Sequence, residues 1–140
     1  MDNSTTKSTS EIGATAELAV ANALCRAGLS VYTPFFNAHG RVDLVYENAL
    51  GEVRLVQCKS GRLVNDVIMF YTCSHTGGVE REYIDDVDEF GVYCAGTGLV
   101  YMVPVTDATT RLTSLRVGPA RNNQTRRVRW AEPYLLGPPW

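Results

Sequence analysis

The sequence predicts an α+β fold, and three features carry that expectation. An amphipathic helical pattern occupies residues 11–27. Two runs of alternating apolar and polar residues, 41–47 and 52–59, flank a tight turn. Further strand-like runs follow at 90–94 and 99–105. At 140 residues the chain suits one domain, which can bury about two-thirds of its unfolded surface.

In the first element, Ile12, Ala16, Ala19, Val20, Ala23 and Ala27 recur at helical spacing. Ser10 is the expected N-cap, Glu11 lies in the first turn, and Gly28 stands just past the end. Leu29–Thr33 reads as a short strand that Pro34 ends or places at an edge. Arg41–Glu47 and Glu52–Lys59 form an antiparallel hairpin around Asn48-Ala-Leu-Gly51, and Ser60-Gly-Arg breaks its second strand. Val67–Cys73 is apolar and aromatic, and periodicity leaves helix or strand open there. His75-Thr-Gly-Gly is read as a loop, and His75, two residues from Cys73, as a poor metal pair. Two more strands follow, joined by Ala95–Gly98, and Leu112–Val117 adds a short last one. The expected organisation is a polar tail at 1–10, a domain at 11–117 and a basic arm at 118–140 that docks through Trp130–Leu136.

The overall charge of −2 hides an asymmetry. Residues 1–110 hold seven Lys/Arg against fourteen Asp/Glu, a net of −7. Residues 111–140 hold six arginines against Glu132, a net of +5. This asymmetry suggests an acidic body with a basic arm near the C-terminus, and taken alone it reads equally well as a solvated charged face. No apolar run reaches the roughly 18 residues a membrane span needs. The N-terminus lacks an apolar signal core, so the cytoplasm is the expected location. Four cysteines, 25, 58, 73 and 94, are too dispersed for paired zinc ligands and read as reduced, mostly buried thiols.

The informative constellation is Glu17, Asp43 and Gln57-x-Lys59. Strand periodicity puts Gln57 and Lys59 on one face, and the hairpin brings Asp43 towards them. Acids and lysines are poor strand formers, so both inside apolar strands suggest chemistry. Convergent oxygen ligands beside a lysine suit metal-assisted phosphodiester cleavage. Mg²⁺ needs only one or two carboxylates plus a phosphate oxygen, and the carbonyl of Cys58 adds a further oxygen. A neighbouring lysine can orient water and offset transition-state charge. The acidic set Asp85, Asp86, Asp88 and Glu89 reads as a strand cap or a solvated face.

Gly13-x-x-x-Glu17, Gly28-x-x-Val31 with Pro34-Phe35, Arg41-Val-Asp43 and Val56-Gln-Cys-Lys59-Ser-Gly-Arg62 resemble the PD-(D/E)XK nuclease superfamily. The variant Gln-x-Lys motif resembles its group I intron-associated and phage-type endonucleases, as do Tyr83–Tyr93 and Val100–Pro104. The resemblance implies a restriction-endonuclease-like fold: a mixed sheet with an α-β-β-β core and flanking helices. It implies an Mg²⁺-dependent endonuclease, with Mn²⁺ as a substitute. Asp43 would be the main metal ligand, Gln57 would hold the ion or its water, Lys59 would assist the nucleophilic water, and Glu17 would bind a second ion or orient water. Gln57 departs from the usual carboxylate and binds Mg²⁺ more weakly.

On this reading the partner is double-stranded DNA, with Arg41, Arg62, Arg121, Arg126, Arg127 and Arg129 at its phosphates. Cutting both strands needs two sites, so a homodimer or higher homo-oligomer is expected. The rival readings are a catalytically silent DNA-binding relative and an interaction domain that binds no nucleic acid.

Overall fold

Helix α1 spans Thr9–Arg26, in a computed structural model that describes residues 6–37, 40–119 and 128–137. Its N-cap is Ser8, not Ser10. Ser8 Oγ accepts from the Glu11 amide at 3.2 Å, and the Glu11 carboxylate accepts from the Ser8 amide at 2.7 Å. This reciprocal pair satisfies two helix-end donors at once and so fixes the start. At the other end Gly28 sits at φ +84°, with Gly28 N–H on the Cys25 carbonyl and Leu29 N–H on that of Leu24. That closure needs a left-handed residue, which is why glycine stands there.

Strands β1 (Ser30–Tyr32), β2 (Leu44–Glu47) and β3 (Val53–Val64) pair antiparallel in order. Asn48 Oδ1 accepts from the Leu50 and Glu52 amides and shapes the β2–β3 turn. The expected break at Ser60-Gly-Arg does not occur, and β3 runs through it. A Cβ at Gly61 would lie 2.7 Å from Ile68 Cγ2 and 2.9 Å from Val92 Cγ1, so glycine here permits close packing within the strand. After a turn at Asn65-Asp66, β4 (Val67–Tyr71) settles the ambiguous apolar run as strand and pairs with the far end of β3.

The expected loop at 75–78 is instead the tip of a separate hairpin, β5 (Cys73–Thr76) with β6 (Val79–Glu82). Gly77 and Gly78, at φ +59° and +78°, form its two-residue turn. Strand β7 (Glu89–Cys94) then lies parallel to β3, and β8 (Leu99–Pro104) returns antiparallel. Strand β9 (Leu112–Arg116) pairs with β4, and β10 (Leu135–Leu136) edges β8. The sheet order is β1-β2-β3-β7-β8-β10, with β4 and β9 attached through β3. This is the α+β fold with a mixed sheet that the sequence predicts. Of the flanking helices, the described residues hold only two 3₁₀ turns, Val105–Asp107 and Glu132–Tyr134.

Two apolar clusters sit on the sheet. Val20, Ala23 and Leu24 of α1 pack with Leu44, Tyr46, Val56, Cys58 and Val100. Gly91 lets α1 come close, since a Cβ there would meet Val20 Cγ1 at 2.6 Å. The second cluster gathers Ile68, Phe70, Tyr83, Phe90, Val103 and Leu115. The chain returns to this body at 129–136. Arg116 N–H bonds the Arg129 carbonyl, Ala131 N–H bonds that of Arg116, and Tyr134 donates to Asp107 at 2.9 Å. Among the described residues no helix is long and apolar enough to cross a membrane. Cys58, Cys73 and Cys94 are buried free thiols, and Cys25 is exposed.

Candidate active site

Asp43 lies at the entry to β2, where its backbone N–H bonds the Val56 carbonyl. Its carboxylate reaches across to β3 and accepts from the Cys58 N–H at 2.8 Å. The two strands thus hold the acid against the Gln57-Cys58-Lys59 segment. Gln57 and Lys59 share a face, opposite Phe90 and Val92 of β7, while Val56 and Cys58 pack towards α1. Burial raises the Asp43 pKa to about 6, against the lowering by the Cys58 amide. The charge of Glu17 raises it further and that of Lys59 lowers it. Glu17, exposed on α1, and Lys59, on β3, are therefore both close enough to act on Asp43. The Cys58 thiol is pushed up by burial and by the charges of Asp43 and Glu17, which keeps it neutral and inert. Of the residues the sequence groups, Glu17 and Lys59 thus act on Asp43, and Gln57 stands on the strand face of Lys59.

Gln57 Oε1 is buried and has no hydrogen-bond partner among the described residues. Its amide nitrogen donates to the Cys58 carbonyl at 3.4 Å, which leaves the oxygen directed elsewhere. A buried acceptor left unpaired costs about 1–3 kcal/mol. On the adjoining residue, the Cys58 N–H holds the Asp43 carboxylate, whose ionisation is hindered by burial and by Glu17. A small hard cation would answer both features. The oxygens of Asp43, Gln57, Glu17 and the Cys58 backbone fit such an ion chemically.

Tyr83 is a component that sequence reasoning leaves out of the site. Its buried ring carries the Arg41 guanidinium at 3.7 Å and the Lys59 ammonium at 4.7 Å from its centroid. Such a ring face attracts cations and restricts where Lys59 can point. Arg41 does not offer a free phosphate contact. Its Nε donates to Asp86 at 2.8 Å, Nη1 to Ser74 Oγ at 2.7 Å, and Nη2 to the Arg81 and Glu82 carbonyls. With those donors taken inside the protein, Arg41 pins the β5–β6 hairpin beside the strand of Asp43. The acidic set is likewise structural. Asp86 holds Arg41 and Arg81, Asp88 accepts from the Leu55 amide, and buried Glu89 pairs with Tyr46 and Arg54.

Of the other basic residues, Arg62 is exposed on β3 and lines a cavity of about 450 Å³ with Lys7 and Ile12. Arg129 lies beside the Tyr134 hydroxyl. Arg121, Arg126 and Arg127 lie outside the described residues.

A helix capped on a mixed sheet, with an acid and a Gln-x-Lys segment facing each other across a hairpin, defines the restriction-endonuclease class of architecture. The family description "PD-(D/E)XK endonuclease" matches residues 7–136, nearly the whole chain. The chain belongs to that family and is a nuclease. Among solved structures it is similar to a bacterial homing endonuclease, I-Ssp6803I, with a TM-score of 0.73 and 21% identity, covering 92% of this chain and 89% of that one. No curated protein matches by sequence at a significant level.

Proposed function

We propose that this nuclease is a divalent-metal-dependent endonuclease that hydrolyses phosphodiester bonds in double-stranded DNA. The observation that carries the reading is the buried, unpartnered Gln57 Oε1, on a side chain whose amide bonds the carbonyl of Cys58, the residue whose N–H the Asp43 carboxylate accepts. Asp43, Gln57, the Cys58 carbonyl and Glu17 would hold Mg²⁺, with Mn²⁺ as a substitute. When bound, the ion polarises the phosphate and eases deprotonation of water near neutral pH. Lys59, whose ammonium lies over the Tyr83 ring, would orient the attacking water and balance the developing negative charge. Asp43 must be ionised to serve; burial raises its pKa to about 6 in the metal-free protein, and a bound cation would favour the ionised form.

Arg62, Arg129 and the arm residues Arg121, Arg126 and Arg127 are proposed as DNA contacts. Arg41 is withdrawn from that set because its donors are engaged within the protein. A homodimer or higher homo-oligomer would present two sites to the two strands. The similarity to a homing endonuclease is compatible with a site-specific substrate.

The test is cleavage of supercoiled plasmid and of a branched junction with Mg²⁺, Mn²⁺ or chelator. Metal-dependent cutting is expected, reduced at least about a hundredfold in Asp43→Ala and Lys59→Ala, since each removes a group that meets transition-state charge. Salt-sensitive binding without cutting, unaltered by either substitution, would favour the catalytically silent relative, in which the neutral Gln57 marks lost metal chemistry. Neither binding nor cutting across a panel of target DNAs would favour an interaction domain.

A further inference from the structure

The β5–β6 hairpin carries a second cluster of metal-ligating groups, on different residues from the nuclease centre. Cys73 and His75 share one face of β5, and the register sets His75 opposite Glu80 of β6. Cys73 Sγ lies 3.9 Å from His75 Nε2, and His75 Nε2 lies 3.7 Å from Glu80 Oε1. One ligand atom from each of the three lies within 4.8 Å of the others. A tetrahedral zinc ion with bonds of about 2.3 Å to sulfur and 2.0–2.1 Å to nitrogen and oxygen separates such ligands by roughly 3.4–3.6 Å. The Cys73–His75 and His75–Glu80 spacings exceed that by a few tenths of an ångström, and the Cys73–Glu80 spacing, within 4.8 Å, closes by side-chain rotation.

We infer that Cys73, His75 and Glu80 form a zinc(II) site that staples the β5–β6 hairpin. The donor set is one soft thiolate, one imidazole and one carboxylate, which suits zinc and disfavours Mg²⁺ and Ca²⁺. Its surroundings resemble a working ligand shell. Glu80 keeps its second oxygen on Arg111 Nε at 3.1 Å, an outer contact that orients the carboxylate. Cys73 is 5% exposed while the His75 side chain is 60% exposed, so the cluster has a buried floor and an open side where water completes four-coordination. Coordination releases the Cys73 thiol proton to solvent. The hairpin is also the element that Arg41 grips through Ser74 Oγ and the Arg81 and Glu82 carbonyls. Zinc would fix the far side of that grip and serve a structural role. The sequence conceals the site because Glu80 meets His75 only once Gly77-Gly78 turns the chain.

Titrating the reduced full-length protein with Co²⁺, then displacing it with Zn²⁺, tests this directly. A thiolate-to-cobalt absorption band that saturates at one equivalent is expected, and Zn²⁺ should abolish it. The band should vanish in Cys73→Ser, while His75→Ala and Glu80→Gln should each weaken Zn²⁺ affinity at least about tenfold. His75 and Glu80 are surface groups, so these two variants report on binding even if Cys73→Ser folds poorly. Cys25→Ser and Asp43→Asn should leave the band unchanged, which separates the site from the exposed thiol and from the nuclease centre. Absence of a thiolate band, its survival in Cys73→Ser, or undiminished Zn²⁺ affinity in His75→Ala would overturn the assignment.

Discussion

Asp43 binds its proton more tightly in the folded chain than in the unfolded one, with a pKa of about 6 against 3.8. Between those values the folded state carries the extra proton, so the Asp43 contribution to stability falls as pH rises through that window. Above it the ionised carboxylate is a standing destabilisation, which the proposed cation would offset. Asp43→Asn keeps an oxygen for the Cys58 amide and removes the charge. It should raise the melting temperature at pH 8 by about 3 °C or more, in the absence of divalent metal, and change it little at pH 4. Equal shifts at both pH values, or destabilisation at pH 8, would show that the charge is not the cause. The site is legible at this scale because Asp43 and Lys59 are out of place in apolar strands. The role of Arg41 is not legible, because its partners, Asp86, Ser74, Arg81 and Glu82, are all at least 33 residues away in sequence.

At the scale of elements, β3 is the strand on which the rest of the sheet is assembled. It pairs with β2, with β7 and with β4 along twelve residues. Gly61→Ala drives a methyl group into Ile68 and Val92 and should cost about 1–3 kcal/mol. Urea denaturation would report this as a lower midpoint, and an unchanged midpoint would mean that the neighbours give way freely. The sequence reads Gly61 as a break, since glycine marks strand ends as well as close approaches, and only the third dimension separates the two. Helix α1 and the β2–β3 turn are readable because their signals are local: apolar spacing, a cap, an Asn-to-Gly turn. The β5–β6 hairpin is not. Val79-Glu-Arg-Glu is exposed throughout, so no apolar alternation marks it, and only Gly77-Gly78 signals the turn.

For the whole molecule, charge is divided so that six of the thirteen basic residues fall in 111–129, downstream of the acidic body. On the proposed function, a net of −7 over residues 1–110 would repel DNA, and the arginines of 111–129 would have to offset it. DNA affinity should fall steeply with salt. Replacing Arg121, Arg126 and Arg127 together by alanine should flatten the log–log salt slope by about 0.9 for each phosphate no longer neutralised. An unchanged slope would move the DNA-binding surface away from the arm. This division lies in the sequence and needs no structure to be seen. The path of 120–127 falls outside the described residues.

The two-sidedness of β3 has an evolutionary consequence. Val56 and Cys58 are committed to the helix, Gln57 and Lys59 to the proposed reaction centre, and Gly61 to its neighbours' methyl groups. Hardly a position along that stretch is left to drift. If the proposed chemistry resides there, a change of target would have to be written in the loops and the basic segment, since β3 binds the chemistry to the same residues that make the protein fold.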